Sequence, residues 1–180
     1  MLGAPALRRT NLRRYLEAFY RLPEVLLVGE APSWRGCRFS GVPFTSEAQL
    51  VDGSLPFEGE RTSRRRRPLA EPSGTVVWRV LRPRSPRFLL WNVSPLHPHR
   101  PGAPLANRRP RVTEVRRFHG LLGRVMGALG PAAVAAVGRT AQAALGELDV
   151  RCRYARHPAQ GGAEPFRRRW RICSTPTSPV

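Results

Sequence analysis

From Leu12 to Leu22 apolar residues recur every three or four positions (Leu12, Tyr15, Leu16, Phe19, Tyr20), which predicts a short amphipathic helix that Pro23 ends. Glu24 to Gly29 (EVLLVG) is then apolar without alternation and closed by glycine, the pattern of a strand buried on both faces of a parallel sheet. Arg87 to Val93 (RFLLWNV) repeats it and stops before Pro95, and Ala132 to Gly138 (AAVAAVG) predicts a third buried strand. Val150 to Arg156 (VRCRYAR) alternates, as a fourth strand running into His157 and Pro158. Helices are expected between these strands. EPSGTVVWRVL offers Ser73 or Thr75 as an N-cap before Val76, Val77, Val80 and Leu81. The longest stripe runs from Val112 to Leu129 and ends at Gly130 and Pro131; a short helix follows from Arg139 to Leu145. Phe166 to Trp170 predicts a last helical turn. Between Ser33 and Leu69 the pattern dissolves into Gly, Pro, Ser and Arg, a long loop over one edge.

The order βαβαβαβ, with crossovers of helical length, predicts an α/β fold: a three-layer α/β/α arrangement around a central four-stranded parallel sheet. The 180 residues, 41% of them hydrophobic, are enough for one core. We expect one domain over residues 1–173, with an Arg-rich loop at 58–68 and a disordered tail at 174–180. In such a sheet, ligands bind beyond the carboxyl ends of the strands. Gly29-Glu30-Ala31-Pro32 follows the first strand, Asn92 ends the second, and His157-Pro158 follows the fourth. A glycine turn, a carboxamide and an imidazole should therefore converge, together with the loop that holds Phe44.

Charge adds a partner to this picture. Lys+Arg number 31 against 12 acidic residues, a formal net charge of +19, which favours a polyanion, nucleic acid or an acidic membrane. All the basic residues are arginine. A GC-rich coding bias explains the choice of arginine over lysine but not the excess over acids. Without lysine, only the N-terminal amine is available for a Schiff base with an abasic sugar. Cys37, Cys152 and Cys173 are far apart with no CxxC spacing, so no iron–sulfur cluster, zinc site or other cofactor is expected. The apolar run in MLGAPALRRT is too short for a signal peptide and no segment approaches a membrane span, so a cytoplasmic, reduced protein is expected.

The converging residues suit a nucleobase. An asparagine carboxamide offers a donor and an acceptor, and can pair bidentately with a pyrimidine edge. The Phe44 ring can stack on a base, worth about 1–3 kcal/mol. His157 can donate a hydrogen bond to a carbonyl oxygen of a departing base as it becomes anionic. Trp34 and Trp91 flank this region, either as pocket walls or as packing. His97 and His99 form an H-x-H pair without a third metal ligand nearby, so they belong either to a loop lying against DNA phosphates or to a solvated turn. Arg64 to Arg67 is either a phosphate-gripping arm or a solvated segment.

These residues resemble the uracil-DNA glycosylase superfamily. Its first motif, a strand ending in G-[QE]-x-P, is matched by Gly29-Glu30-Ala31-Pro32; its strand ending in Asn, by Leu89-Leu90-Trp91-Asn92; its His-Pro-Ser, by His157-Pro158-Ala159. The longer strings GEAPSWRGCRFSGVPFTSE, EPSGTVVW and WNVSPLHPH are similar to a bacterial branch without an iron–sulfur cluster, and the resemblance spans about 24–168. It implies a monofunctional glycosylase that flips uracil out of DNA and hydrolyses its N-glycosidic bond, acting as a monomer without an obligate protein partner. By the same resemblance Asn92 recognises uracil, Phe44 stacks on it, Gly29, Ala31, Pro32 and Ser33 complete the base pocket, and His157 stabilises the uracil anion. Pro158 and Ala159, with the loop from Gln160 through Gly161 and Gly162 to Arg167, contact or enter the duplex; His97 and His99 also face DNA.

Three positions depart from the pattern. Ala31 stands where the well-studied branch has an aspartate that activates water, Ser33 where glycine is usual, and Ala159 where serine is usual. Because the transition state is oxocarbenium-like, leaving-group stabilisation supplies much of the catalysis and water activation about 10²–10⁴-fold, so the missing aspartate predicts a slower enzyme or another base. Glu30 is the nearest carboxylate in sequence: a base if buried, structural if it pairs with an arginine. A non-catalytic binder of uracil or abasic sites is the alternative. An unrelated nucleotide-binding protein is disfavoured by the absence of G-x-G-x-x-G and of GK[ST].

Overall fold

The computed structural model describes residues 3–19, 23–84 and 87–171; the expected helix end at Tyr20 to Leu22, Cys173 and the 174–180 tail lie outside them. The four expected strands form β1 (Val25–Gly29), β2 (Phe88–Asn92), β3 (Ala133–Val137) and β4 (Arg153–Ala155), all parallel in the order β2-β1-β3-β4. Leu26, Leu27, Val28, Leu89 and Leu90 are fully buried although consecutive side chains point to opposite faces. Helices on both sides of the sheet account for this, and for the unbroken apolar runs.

The first helix, α1, begins earlier than its stripe, at Ala4, and runs to Phe19. It covers the outer edge of β2, where the Tyr15 hydroxyl donates to the Leu90 carbonyl (3.1 Å) and accepts from the Leu90 N–H (2.6 Å). The edge strand is thereby closed by a side chain. Within the expected loop the structure has two short helices, α2 (Cys37–Ser40) and α3 (Glu47–Val51). Elements of four and five residues are too short to show a period. The α2 helix ends at Gly41 (φ 79°), which packs so closely on Arg8 that a Cβ would lie 2.6 Å from its carbonyl oxygen. Glu47 is fully buried, and its carboxylate accepts from the N–H groups of Thr62, Ser63 and Leu69 and from the Ser63 hydroxyl. That anchors the Arg-rich segment, whose Arg64 to Arg67 are exposed.

The next helix, α4 (Pro72–Leu81), has Glu71 at its N-cap position and Pro72 in its first turn, two or four positions before the expected Ser73 or Thr75. Proline supplies the helical φ without a donor to satisfy, which sets the start earlier. The 112–129 stripe is not one helix but two, α5 (Val112–Arg116) and α6 (His119–Leu129). The Phe118 N–H closes α5 on the Val115 carbonyl (2.9 Å) and the Phe118 carbonyl accepts the first bond of α6, from Leu122 (2.9 Å). The apolar side stays in phase across this tight turn, so periodicity does not reveal it. Helix α7 (Arg139–Glu147) buries Ala141, Ala144 and Leu145 and packs against β3. Only Arg153 to Ala155 pair as β4, because their partner β3 ends at Val137, opposite Ala155, while the Val150 N–H turns back to the Leu145 carbonyl. The last element, α8 (Ala163–Arg171), is longer than one turn and buries Phe166 and Trp170 one turn apart, packing against α4. No helix among the described residues is long and apolar enough to cross a membrane.

Candidate active site

In this order β2 is added on one side of β1 and β4 on the other side of β3, so the strand order switches between β1 and β3, and the carboxyl ends there form a crevice. Register sets its floor: Gly29 pairs with Asn92, so the ends of β1 and β2 are level. A side chain on residue 29 could not fit. A Cβ there would lie 2.2 Å from Phe44 Cζ and 2.9 Å from Asn92 Oδ1, so glycine lets the ring and the carboxamide close over the strand end. Phe44 holds this place with a positive φ of 54°, and its carbonyl oxygen lies against Gly74 of α4, where a Cβ would approach to 2.3 Å. Asn92 is 6% exposed, and its carboxamide makes no hydrogen bond among the described residues. With its backbone locked in β2 and its carboxamide unpaired, Asn92 is left free to pair with a ligand that enters the recess.

The end of β4 completes the crevice. Gly138, beyond β3, bonds to the Ala155 carbonyl (2.9 Å) and leaves only van der Waals room beside His157, so the imidazole is carried to the same edge. Its ring centroid is 6.3 Å from that of Phe44. The backbone N–H of Ala159 donates to His157 Nδ1 (3.2 Å), which fixes the tautomer with the proton on Nε2. Burial lowers the imidazole pKa, with the nearby Glu30 carboxylate opposing the shift. The ring is therefore a neutral N–H donor at neutral pH. Ala159, Gln160 (φ 51°) and Gly161 (φ 77°) turn the chain back so tightly that a Cβ on Gly162 would lie 1.9 Å from the His157 carbonyl oxygen.

Gly29 thus floors, and Glu30, Ala31, Pro32, Ser33, Phe44, Asn92 and His157 line, one tight recess of about 20 Å³, which the geometry brings together from four separate stretches of chain. Cys37 and Glu71 line it as well, and neither was expected from sequence. The sequence pattern sets the helix start at Ser73 or Thr75 and leaves Glu71 in the connection before it, which hides its role. Its side chain does not cap α4; the carboxylate instead lies against Gly36, where a Cβ would be 2.1 Å from Oε2. Burial raises the Glu71 pKa above the usual carboxylate range. The Ser33 hydroxyl opposes the shift, although it makes no hydrogen bond of ordinary geometry. Burial likewise raises the Cys37 thiol, with the Glu71 charge adding to it. Glu30 is held otherwise: Thr140 Oγ1 donates to its Oε2, and Arg109 Nε donates to the same hydroxyl (3.0 Å).

The recess opens into a wider cleft lined by Arg108, Arg109, Arg139, Thr140, Ala159 and Gln160. Arg108 is fixed there by a bidentate pair with Glu114 (2.6 and 2.7 Å), which holds the Glu114 carboxyl down to about 2. Arg167 is not in a loop as expected; it lies on α8 beside Glu164 (3.6 Å), because the turn ends at Gly162. His97 lies behind the recess, with Nδ1 2.8 Å from the Pro32 carbonyl, bracing the loop after β1, and its ring stacks on His99. No group of three or more His, Cys, Asp or Glu that could hold a metal ion is found among the described residues. Trp34 and Trp91 do not line the recess; Trp34 stacks against the Arg35 and Arg65 guanidinium groups, at 4.9 and 5.9 Å.

Comparison with known families agrees with this arrangement. The family model of the Uracil DNA glycosylase superfamily matches residues 19–178, which include all four strands and the recess. No curated protein matches the chain. The match extends over far more than half of the 180 residues, so the chain belongs to the uracil-DNA glycosylase superfamily and, with it, to the glycosylase-type hydrolases that act on DNA.

Proposed function

We propose that the protein is a monofunctional uracil-DNA glycosylase, which flips uracil out of DNA, hydrolyses its N-glycosidic bond and leaves an abasic site for base excision repair. The observation that carries this reading is the unpartnered, buried Asn92 carboxamide in one recess with the Phe44 ring and a neutral His157. The carboxamide can accept from N3–H and donate to O4 of uracil, and satisfying a buried amide in this way gives specificity that stacking alone lacks. Phe44 stacks on the base. His157 Nε2–H donates to O2 as negative charge develops there, a contribution worth about 10²–10³-fold for a single aimed donor. Gly29, Ala31, Pro32 and Ser33 wall the base. Pro158, Ala159, Gln160, Gly161 and Gly162 form the turn nearest the duplex, and Arg108, Arg109 and Arg139 draw in its phosphates. We assign Arg167 and the His97–His99 pair to the DNA-facing surface. The protein acts as a monomeric single domain over residues 1–173 in the bacterial cytoplasm.

An oligonucleotide with one uracil, incubated with the protein and then treated with alkali, should break at that position. Cleavage before alkali would contradict the monofunctional chemistry, and a His157→Ala protein with full activity would remove the imidazole from its role. Glu30→Gln with an unchanged single-turnover rate would exclude Glu30 as a base. A second reading rests on Ala31 and Ala159, which lack the polar side chains of the family motifs: a non-catalytic binder of uracil or abasic sites. Retarded migration of uracil DNA with no alkali-labile site would favour it.

A further inference from the structure

Two carboxyl groups stand at the mouth of the recess. The mouth is defined by the residues that line both the inner recess and the outer cleft: Glu30, Ala31, Pro32, Ser33, Glu71 and His157. Phe44, Asn92 and Cys37 line only the interior, and Arg108, Arg109 and Arg139 only the exterior. With a base inside and phosphates outside, the sugar carbon C1′ that joins them sits at the mouth. Of the two carboxyls, Glu30 is taken up by the Thr140 hydroxyl and through it by Arg109. Glu71 forms no ion pair among the described residues, in a chain with 31 arginines. It does not serve its own helix either, and the loop beside it is reduced to glycine at position 36, which makes room for the carboxylate.

We propose that Glu71 is the general base of the hydrolysis, supplying the function that an aspartate at position 31 would otherwise have. The proposal rests on the uracil-glycosylase reading of this same site. Its carboxylate takes a proton from a water molecule as that water's oxygen bonds to C1′. The C1′–N1 bond breaks with its electron pair going to N1, and uracil leaves as the anion that the His157 N–H stabilises. The proton on Glu71 then passes to solvent, so the products are uracil and an abasic deoxyribose. The titratable groups around Glu71 are Cys37 on α2, Glu30 after β1 and His157 after β4, with the three cleft arginines farther out. Desolvation moves the carboxyl toward the range in which a base is effective at neutral pH.

The test measures single-turnover cleavage of a uracil-containing duplex from about pH 5 to 9, and duplex affinity by fluorescence anisotropy, for wild type, E71Q, E71D and E30Q. E71Q should lower the rate by about 10²–10⁴-fold and abolish its rise with pH on the acid side, while affinity for uracil DNA stays within about threefold. E71D should keep a displaced acid limb, and it carries the test if circular dichroism shows that E71Q does not fold. A wild-type enzyme that cleaves while E71Q matches it, or is slowed equally at every pH with the acid limb intact, overturns the assignment of Glu71 but leaves the glycosylase reading standing. A wild-type protein that binds uracil DNA without cleaving it overturns both.

Discussion

Replacing Gly29 by alanine tests the site at its floor. The added Cβ would lie 2.2 Å from Phe44 Cζ, 2.6 Å from Cε2 and 2.9 Å from Asn92 Oδ1, where ordinary contact begins at 3.4 Å. To accommodate it the ring must retreat by about 1.2 Å, and it has little room, because the Phe44 backbone already holds a positive φ and its carbonyl is pressed on Gly74. Overpacking of this kind costs about 1–3 kcal/mol of stability. The functional cost should be larger, since a misplacement of about 1 Å among positioning groups lowers rates by about 10²-fold. Urea unfolding followed by tryptophan fluorescence gives the first quantity, and single-turnover cleavage of uracil DNA the second. Gly123→Ala is the internal comparison: this glycine lies on the exposed side of α6 with nothing within 4 Å of a new Cβ, so the change should add up to about 1 kcal/mol and leave the rate alone. A Gly29→Ala protein as stable and as fast as wild type would refute the close packing of Phe44 and Asn92 over the strand end.

Three further outcomes follow from the fold. Tyr15→Phe strands the N–H and C=O of Leu90 on a covered edge and should cost about 1–3 kcal/mol in urea titration; a loss under about 0.5 kcal/mol would mean that water replaces the hydroxyl. Glu47→Gln weakens the anchor of the 58–68 loop, and with charged hydrogen bonds worth about 1.5–3 kcal/mol, trypsin should cut between Arg64 and Arg67 at least about tenfold faster; an unchanged rate would show that the anchor does not control the loop. Burial lowers the pKa of both His97 and His157, so the unfolded chain takes up protons that the folded chain does not. Stability from these groups is present above the ordinary histidine pKa of about 6.5 and is lost as the pH falls below it. The urea midpoint should therefore decline between about pH 7 and 5, and decline less in His97→Gln; identical profiles would exclude a contribution from His97.

What the sequence by itself determined is the set of elements whose burial is periodic or continuous. Three apolar runs became strands at the expected places, and their parallel arrangement, with helices on both sides, is legible because only a doubly covered sheet buries consecutive residues such as Leu26 to Val28 or Phe88 to Leu90. The strand ends then nominate Gly29, Asn92 and His157, since the carboxyl ends of parallel strands share one edge. Helices of four or five residues, the break at Phe118 and the register that stops β4 at Ala155 left no periodic trace, because each depends on one local hydrogen bond or on where a partner strand ends. Glu71 was invisible for a different reason. Its place in the chain reads as the connection before a helix, and only the approach of Gly36 and the desolvation of its carboxyl in the folded molecule set it at the mouth of the recess. Periodicity records which side of an element avoids water; which polar groups face one another across a cavity is decided by packing between segments far apart in sequence, and only the tertiary structure holds that relation.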